Sequence, residues 1–267
     1  MLVQEQLIAR VRELCEADEG LDAALMYGSF ATGEADEHSD IEFWLFFTPE
    51  RLTAIDPCAW CSQIAPVTYV LRNEFGAHIA FFPNLIRGEF HFATVHDLGS
   101  VGAWPARGAE IERMIVVDRT GELAPILGSV PHRHEVPSSG AAVFAECCDP
   151  FVNWLVLAHH LLARGEHLRA WDALGHAQRY LLRMARLVEG ATAHWLTPSR
   201  GAEVELSAAT VVALQAATSA ATPDGLRVAL RSALREGQSL WQTLAERYDQ
   251  NAPIALFSAL DSALDGS

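Results

Sequence analysis

The stretch Gly28-Ser29-Phe30-Ala31-Thr32-Gly33-Glu34-Ala35-Asp36-Glu37-His38-Ser39-Asp40-Ile41-Glu42 decides how the first half of the chain is organised. Before it, Asp22 to Tyr27 reads as a buried strand. After it, Ile41 to Phe47 alternates and is rich in β-forming residues. A strand therefore ends in Gly-Ser, a turn follows, and Asp-x-Glu stands at the head of the next strand. Residues two apart on a strand share a face. Asp40 and Glu42 thus project together, while Ile41, Phe43 and Leu45 face the opposite layer. Neighbouring carboxylates repel, and a divalent cation is the natural offset. Gly28 lets a phosphate come close to the backbone, and the Ser29 hydroxyl and nearby N–H groups are donors for it.

A third carboxylate lies in Leu85-Ile86-Arg87-Gly88-Glu89-Phe90-His91-Phe92. Alternation puts Arg87, Glu89 and His91 on one face and Ile86, Gly88, Phe90 and Phe92 on the other. An acid in mid-strand between Gly88 and Phe90 suggests a metal or another cation opposite it. Two-metal phosphoryl chemistry needs carboxylates that bridge ions about 3.5–4 Å apart, and Asp40, Glu42 and Glu89 form such a set. The Gly28–Gly33 loop is not a P-loop, because no Gly-Lys-Ser/Thr follows, and its glycines do not match G-x-G-x-x-G.

Outward from these segments, Val3, Leu7, Ile8, Val11 and Leu14 mark an opening helix over 3–16. Further strands are expected at Val67–Arg72, His78–Phe82, Leu85–Phe92 and Met114–Asp118. The composition shifts at 129–140, a Pro-, Ser- and Gly-bearing linker, beyond which the chain is Ala- and Leu-rich. Helices are expected at 141–163, 167–189, 207–220, 224–248 and 253–264, with Pro150 kinking or splitting the first. Thr222 and Pro223 provide a cap and a first helical residue for the fourth. The fold class is α+β: an N-terminal mixed-sheet domain over 1–128, then a C-terminal helical bundle over 138–267.

The chain has 267 residues and 19 Lys+Arg against 34 Asp+Glu, for a net charge of −15. A polyanion would be repelled, so nucleic acid is a poor partner and an amine-bearing small molecule a better one. No unbroken apolar run reaches about 18 residues, so no membrane span is expected. The N-terminus lacks a basic start, an apolar core and a cleavage site, which predicts a cytoplasmic protein. Five scattered cysteines fit reduced thiols, and Cys58-x-x-Cys61 has no second pair to complete a zinc site. His132, His134, His159 and His160 are not placed as a ligand set.

The ordered set of Gly-Ser, Asp-x-Glu and a later strand acid resembles the polymerase-β-like nucleotidyltransferase superfamily. Met26–Phe30, Ser39–Phe43 and Asn84–Phe92, with Arg164-Gly165-Glu166, Arg169 and Arg183-Met184-Ala185, look like lincosamide nucleotidyltransferases. The likeness runs from residue 1 to about 200 and weakens beyond. It implies Mg²⁺-dependent transfer of AMP from ATP, a nucleoside triphosphate, to a sugar hydroxyl of a small-molecule antibiotic such as lincomycin or clindamycin. Asp40, Glu42 and Glu89 would then be the catalytic metal ligands, and Gly28, Ser29, Ser39 and Arg87 would serve the nucleotide. Glu89 is expected also to accept the hydroxyl proton, with Glu146 or Asp149 as the rival base. A homodimer is a further expectation of the same resemblance. Two other readings stay open: the same chemistry on an aminoglycoside, and a non-catalytic antitoxin or regulatory module of the same fold.

Overall fold

In the computed structural model, which describes residues 1–265, the chain divides into two units, the first ending at His134 and the second beginning at Glu135. In the first unit, helix α1 (Val3–Ala17) is followed by a six-stranded sheet. Its strands are β1 (Leu21–Tyr27), β2 (Ile41–Phe47), β3 (Tyr69–Arg72), β4 (His78–Phe81), β5 (Arg87–Thr94) and β6 (Ile115–Asp118), in the order β3-β4-β5-β2-β1-β6. β2 and β5 are parallel and the other neighbours antiparallel, so the sheet is mixed. Ile41, Phe43 and Leu45 are fully buried on the face away from the acids, where Phe43 stacks on Phe90.

Short helices that periodicity did not reveal occupy the connections: α2 (Gly28–Thr32), α3 (Pro49–Ala54), α4 (Pro57–Cys61), α5 (Ile111–Met114) and α6 (Leu123–Ser129). Thr48 and Asp56 cap α3 and α4, and a proline sits in the first turn of each. The C-x-x-C lies in α4, where Cys58 is exposed and Cys61 buried, both as free thiols. β5 begins at Arg87 rather than Leu85. Pro83–Leu85 forms a single tight turn with Asn84 and Leu85 at φ of 62° and 60°, and the extended chain resumes only after it.

The second unit is helical: α7 (Gly140–Val143), α8 (Asp149–Ala163), α9 (His167–Glu189), α10 (Ala202–Glu205), α11 (Ala208–Ala216), α12 (Pro223–Tyr248) and α13 (Ile254–Asp265). Residues 266 and 267 of the expected second domain lie outside the described residues. The expected helix 141–163 is modified ahead of Pro150 rather than at it. Phe144–Cys148 is a π turn in which the Asp149 N–H donates to the Phe144 carbonyl. Pro150 has no N–H to return to residue 146, and widening the turn by one residue accommodates it. With this turn counted, Gly140–Ala163 is long and apolar enough to cross a membrane, with mean hydropathy 1.4. The sequence reading missed this because acids interrupt the run. Val143, Cys147, Phe151, Leu155, Ala158 and Leu161 from it are packed in the core of the unit.

On α12, Leu226, Leu230, Leu234, Trp241 and Leu244 are buried, and the Thr222 side chain accepts from the Gly225 N–H. Gly237 lets α12 meet α8: a Cβ there would stand 2.2 Å from the Phe151 ring. The core of this unit also holds an arginine. Arg186 is fully buried and donates to the carbonyls of Pro198 (2.7 Å), Ala191 (2.6 Å) and Arg200 (2.5 Å), and to Glu205 (2.5 Å). These bonds fasten the irregular segment 190–201 to α9. Removing the guanidinium takes this donor from three carbonyls and leaves Glu205 with His194 as a remaining partner. Arg186→Met is therefore expected to lower stability by about 2–4 kcal/mol in urea denaturation.

Candidate active site

The parallel register places Glu42 opposite Glu89 and Trp44 opposite His91. On the other side, Tyr27 of β1 is the partner of Glu42. One row across three strands therefore reads Tyr27, Glu42, Glu89. Asp40 lies one residue before the pair Ile41 and Gly88, level with Arg87. The loop leading to Asp40 is anchored by Gln4 of α1. This buried side chain donates from Nε2 to the carbonyls of Glu37 (2.8 Å) and Ser39 (3.2 Å).

Arg87 joins two of the acids. Its Nη1 donates to Asp40 Oδ2 and its Nη2 to Glu89 Oε2 at 2.6 Å. The Tyr27 hydroxyl donates to Glu89 Oε1 at 3.0 Å. His91 Nε2 lies 3.4 Å from the same oxygen, and its ring stacks on Trp44 with centroids 4.3 Å apart. Trp104 meets both Tyr27 and Trp44 edge-on and completes an aromatic wall beside the acids.

Glu42 turns the other way. Gly28 has φ 71°, and a Cβ there would stand 1.5 Å from Glu42 Oε2. Glycine is thus required twice, by the backbone conformation and by the carboxylate lying against it. The Ser29 backbone hydrogen-bonds to that carboxylate.

These environments separate the two neighbouring glutamates. Burial, then the charges of Asp40 and Glu89, pushes the Glu42 carboxyl up to about 7. The bond from His91, with those from Tyr27 and Arg87, outweighs burial and holds Glu89 down at about 2. Burial and the two glutamates push the Tyr27 phenol up, so it is a donor at neutral pH.

Of the residues expected from sequence, Asp40, Glu42, Glu89, Arg87, Gly28 and Ser29 are brought together. Ser39 is close in the chain, but its hydroxyl is engaged in a turn with Asp36, donating to Oδ1 at 2.9 Å and accepting from the N–H at 3.0 Å. Gln4, Tyr27, Trp44 and Trp104 were missed. Only strand register and the placement of α1 and the 95–104 segment bring them to the acids. The donor set fits a divalent ion: the ligands are hard oxygens, and a cation, the guanidinium, already stands between Asp40 and Glu89. Among the described residues no three such side chains converge as they stand, because Glu42 faces Gly28 instead.

The helical unit carries a second polar feature. Arg179 and Arg183 of α9 line a cleft of about 360 Å³ with Leu196–Ser199. The Arg183 guanidinium lies 5.7 Å from the Tyr180 ring centre and 5.5 Å from that of Trp195, and its buried Nε has no hydrogen-bond partner. No acid lines this cleft, which suits an anionic group. Of the other arginines singled out from sequence, Arg169 pairs with Glu166 and Arg164 is exposed.

Residues 142–262 match the model of a family described as lincosamide nucleotidyltransferase-like, C-terminal domain. The matched span lies within the helical unit. Two solved structures are similar over most of their length. An aminoglycoside 6-adenyltransferase from Bacillus subtilis is 14% identical, covers 98% of this chain and 97% of its own, and has a TM-score of 0.45. A nucleotidyltransferase-like protein from Exiguobacterium sibiricum is 11% identical, with 98% and 88% covered and a TM-score of 0.39. No curated protein matches the chain.

The raised Glu42 carboxyl has a consequence for stability. The folded state holds a proton that the unfolded state releases between about pH 4.5 and 7. Stability from this group is therefore present below that window and lost as the pH rises through it. In metal-free protein at pH 8, Glu42→Gln is expected to raise stability by about 1–3 kcal/mol, with little change at pH 4.5. Thermal melts at the two pH values check this.

Proposed function

We propose that the protein transfers AMP from ATP to a hydroxyl of a lincosamide antibiotic such as lincomycin or clindamycin, in a Mg²⁺-dependent reaction that releases pyrophosphate and inactivates the drug. What carries this reading is the facing pair Glu42 and Glu89, with Asp40 one step away, beside the Gly28–Ser29 turn, in a chain whose residues 142–262 match a lincosamide nucleotidyltransferase-like domain. The net charge of −15 suits an amine-bearing acceptor rather than a nucleic acid.

Asp40, Glu42 and Glu89 would hold the metal. Bound Mg²⁺ supplies charge neutralisation and orientation for in-line displacement at the α-phosphorus. The acceptor oxygen forms a bond to that phosphorus as the bond to the pyrophosphate oxygen breaks. Ser29 and the N–H groups of its turn would hold the departing pyrophosphate, and Arg87 would add its guanidinium.

The acceptor hydroxyl must also lose a proton. Glu89 receives bonds from Tyr27, His91 and Arg87 and is held at about 2, which suits a ligand better than a base. Glu146, in the π turn, and Asp149, at the head of α8, are exposed carboxylates that compete for the base role.

Incubation with MgATP and a panel of lincosamides and aminoglycosides, followed by mass spectrometry, is expected to give an AMP adduct on lincosamides. An adduct confined to aminoglycosides would reassign the acceptor, and none on any drug would reject turnover. Asp40→Asn is expected to keep the fold and abolish the adduct. The rate of Glu89→Gln is expected to recover in part at high Mg²⁺. A loss of roughly 10²–10⁴-fold that persists at saturating Mg²⁺ in Glu146→Gln or Asp149→Asn alone would place the base on the helical unit. The same persistent loss in Glu89→Gln would restore that role to Glu89.

A further inference from the structure

The acidic row meets a cation supplied by the chain itself. Arg87 opens β5, and its fork spans the two strands: one nitrogen on Asp40, the other on Glu89. The three side chains are between one sixth and one third exposed, so the pairs are shielded from bulk water. The fork uses one oxygen of Asp40 and one of Glu89, the two acids that face it, and leaves Glu42 against Gly28. The other oxygen of Glu89 already accepts from Tyr27, so a divalent ion bridging Asp40 and Glu89 would compete for the place where the guanidinium stands.

We propose that Arg87 is an internal counter-cation of the acidic site, one that a divalent ion must displace in order to bind. It keeps Asp40 and Glu89 paired while the site waits, at the cost of weakening its affinity for free metal. Once displaced, the guanidinium is free to meet phosphate oxygens, so that metal and nucleotide are favoured together over metal alone. This inference rests on the reading of Asp40, Glu42 and Glu89 as metal ligands.

The test is binding of Mn²⁺ alone, without nucleotide, to the full chain. Electron paramagnetic resonance counts the free ion, and thermal melts are recorded in EDTA. Arg87→Gln is expected to bind Mn²⁺ roughly tenfold more tightly than the wild type, about 1.4 kcal/mol, and to melt at a lower temperature without metal, because two carboxylates lose their partner. Arg87→Lys, which places one compact charge where the fork spans two acids, is expected to lie between. It carries the test if the glutamine variant does not fold. A lower melting temperature with unchanged or weaker Mn²⁺ binding in both variants would make Arg87 merely structural and overturn the proposal. If wild type and variants all fail to bind Mn²⁺, or if Asp40→Asn binds it as well as the wild type, the metal reading itself fails and takes the proposal with it.

Discussion

The parallel pairing of β2 with β5 sets Glu42 directly opposite Glu89, with Asp40 one step away. Like charges at facing strand positions are destabilising, and partial burial removes much of the water that would screen them. The surroundings are arranged around that repulsion. Arg87 spans Asp40 and Glu89, Tyr27 donates a hydrogen bond, and His91 stands at Glu89 with Trp44 behind its ring. Glu42 alone has no guanidinium. It is placed over Gly28, where burial first and then the charges of Asp40 and Glu89 raise its carboxyl. Under the proposed metal role, keeping these acids near one another trades stability for the capacity to bind a cation.

The acids owe their position to the layer beneath them. Ile41, Phe43, Leu45 and Phe90 are fully buried on the opposite face of the same two strands. Moving either strand by one residue would bury acids and expose this apolar set, so hydrophobic burial fixes the register that electrostatics alone would oppose. Gln4 extends the control to the loop ahead of β2, tying its carbonyls to α1. The second unit solves a similar problem differently. There a charged residue, Arg186, lies inside an otherwise apolar core and holds a loop rather than a ligand. That loop carries one wall of the cleft where Arg179 and Arg183 stand without acidic neighbours, in a chain that is otherwise rich in acid.

Much of this was legible in the sequence, because it depends on local rules. Period-two alternation fixed the bounds of β2 and the shared face of Asp40 and Glu42, and of Arg87, Glu89 and His91. Helical periodicity with Thr222 and Pro223 marked α12, and the bounds of α9 were read without error. The shift to an Ala- and Leu-rich composition marked the helical half. The start of β5, the short proline-led helices and the π turn escaped, since each turns on backbone geometry over at most six residues that leaves no periodic trace.

The sequence by itself determined which residue types stand in which strand and on which face: an acid pair after a Gly-Ser turn, and a third acid beside an arginine. It did so because alternation is a property of each strand alone. Only the tertiary structure decided which strands are neighbours and in what register. From that follow Glu42 facing Glu89, Tyr27 reaching Glu89 across sixty-two positions of the chain, Arg87 closing on Asp40, and Glu42 resting on Gly28. These contacts join segments far apart in the chain, and their geometry comes from the packing of the apolar layer beneath them, which no single segment contains.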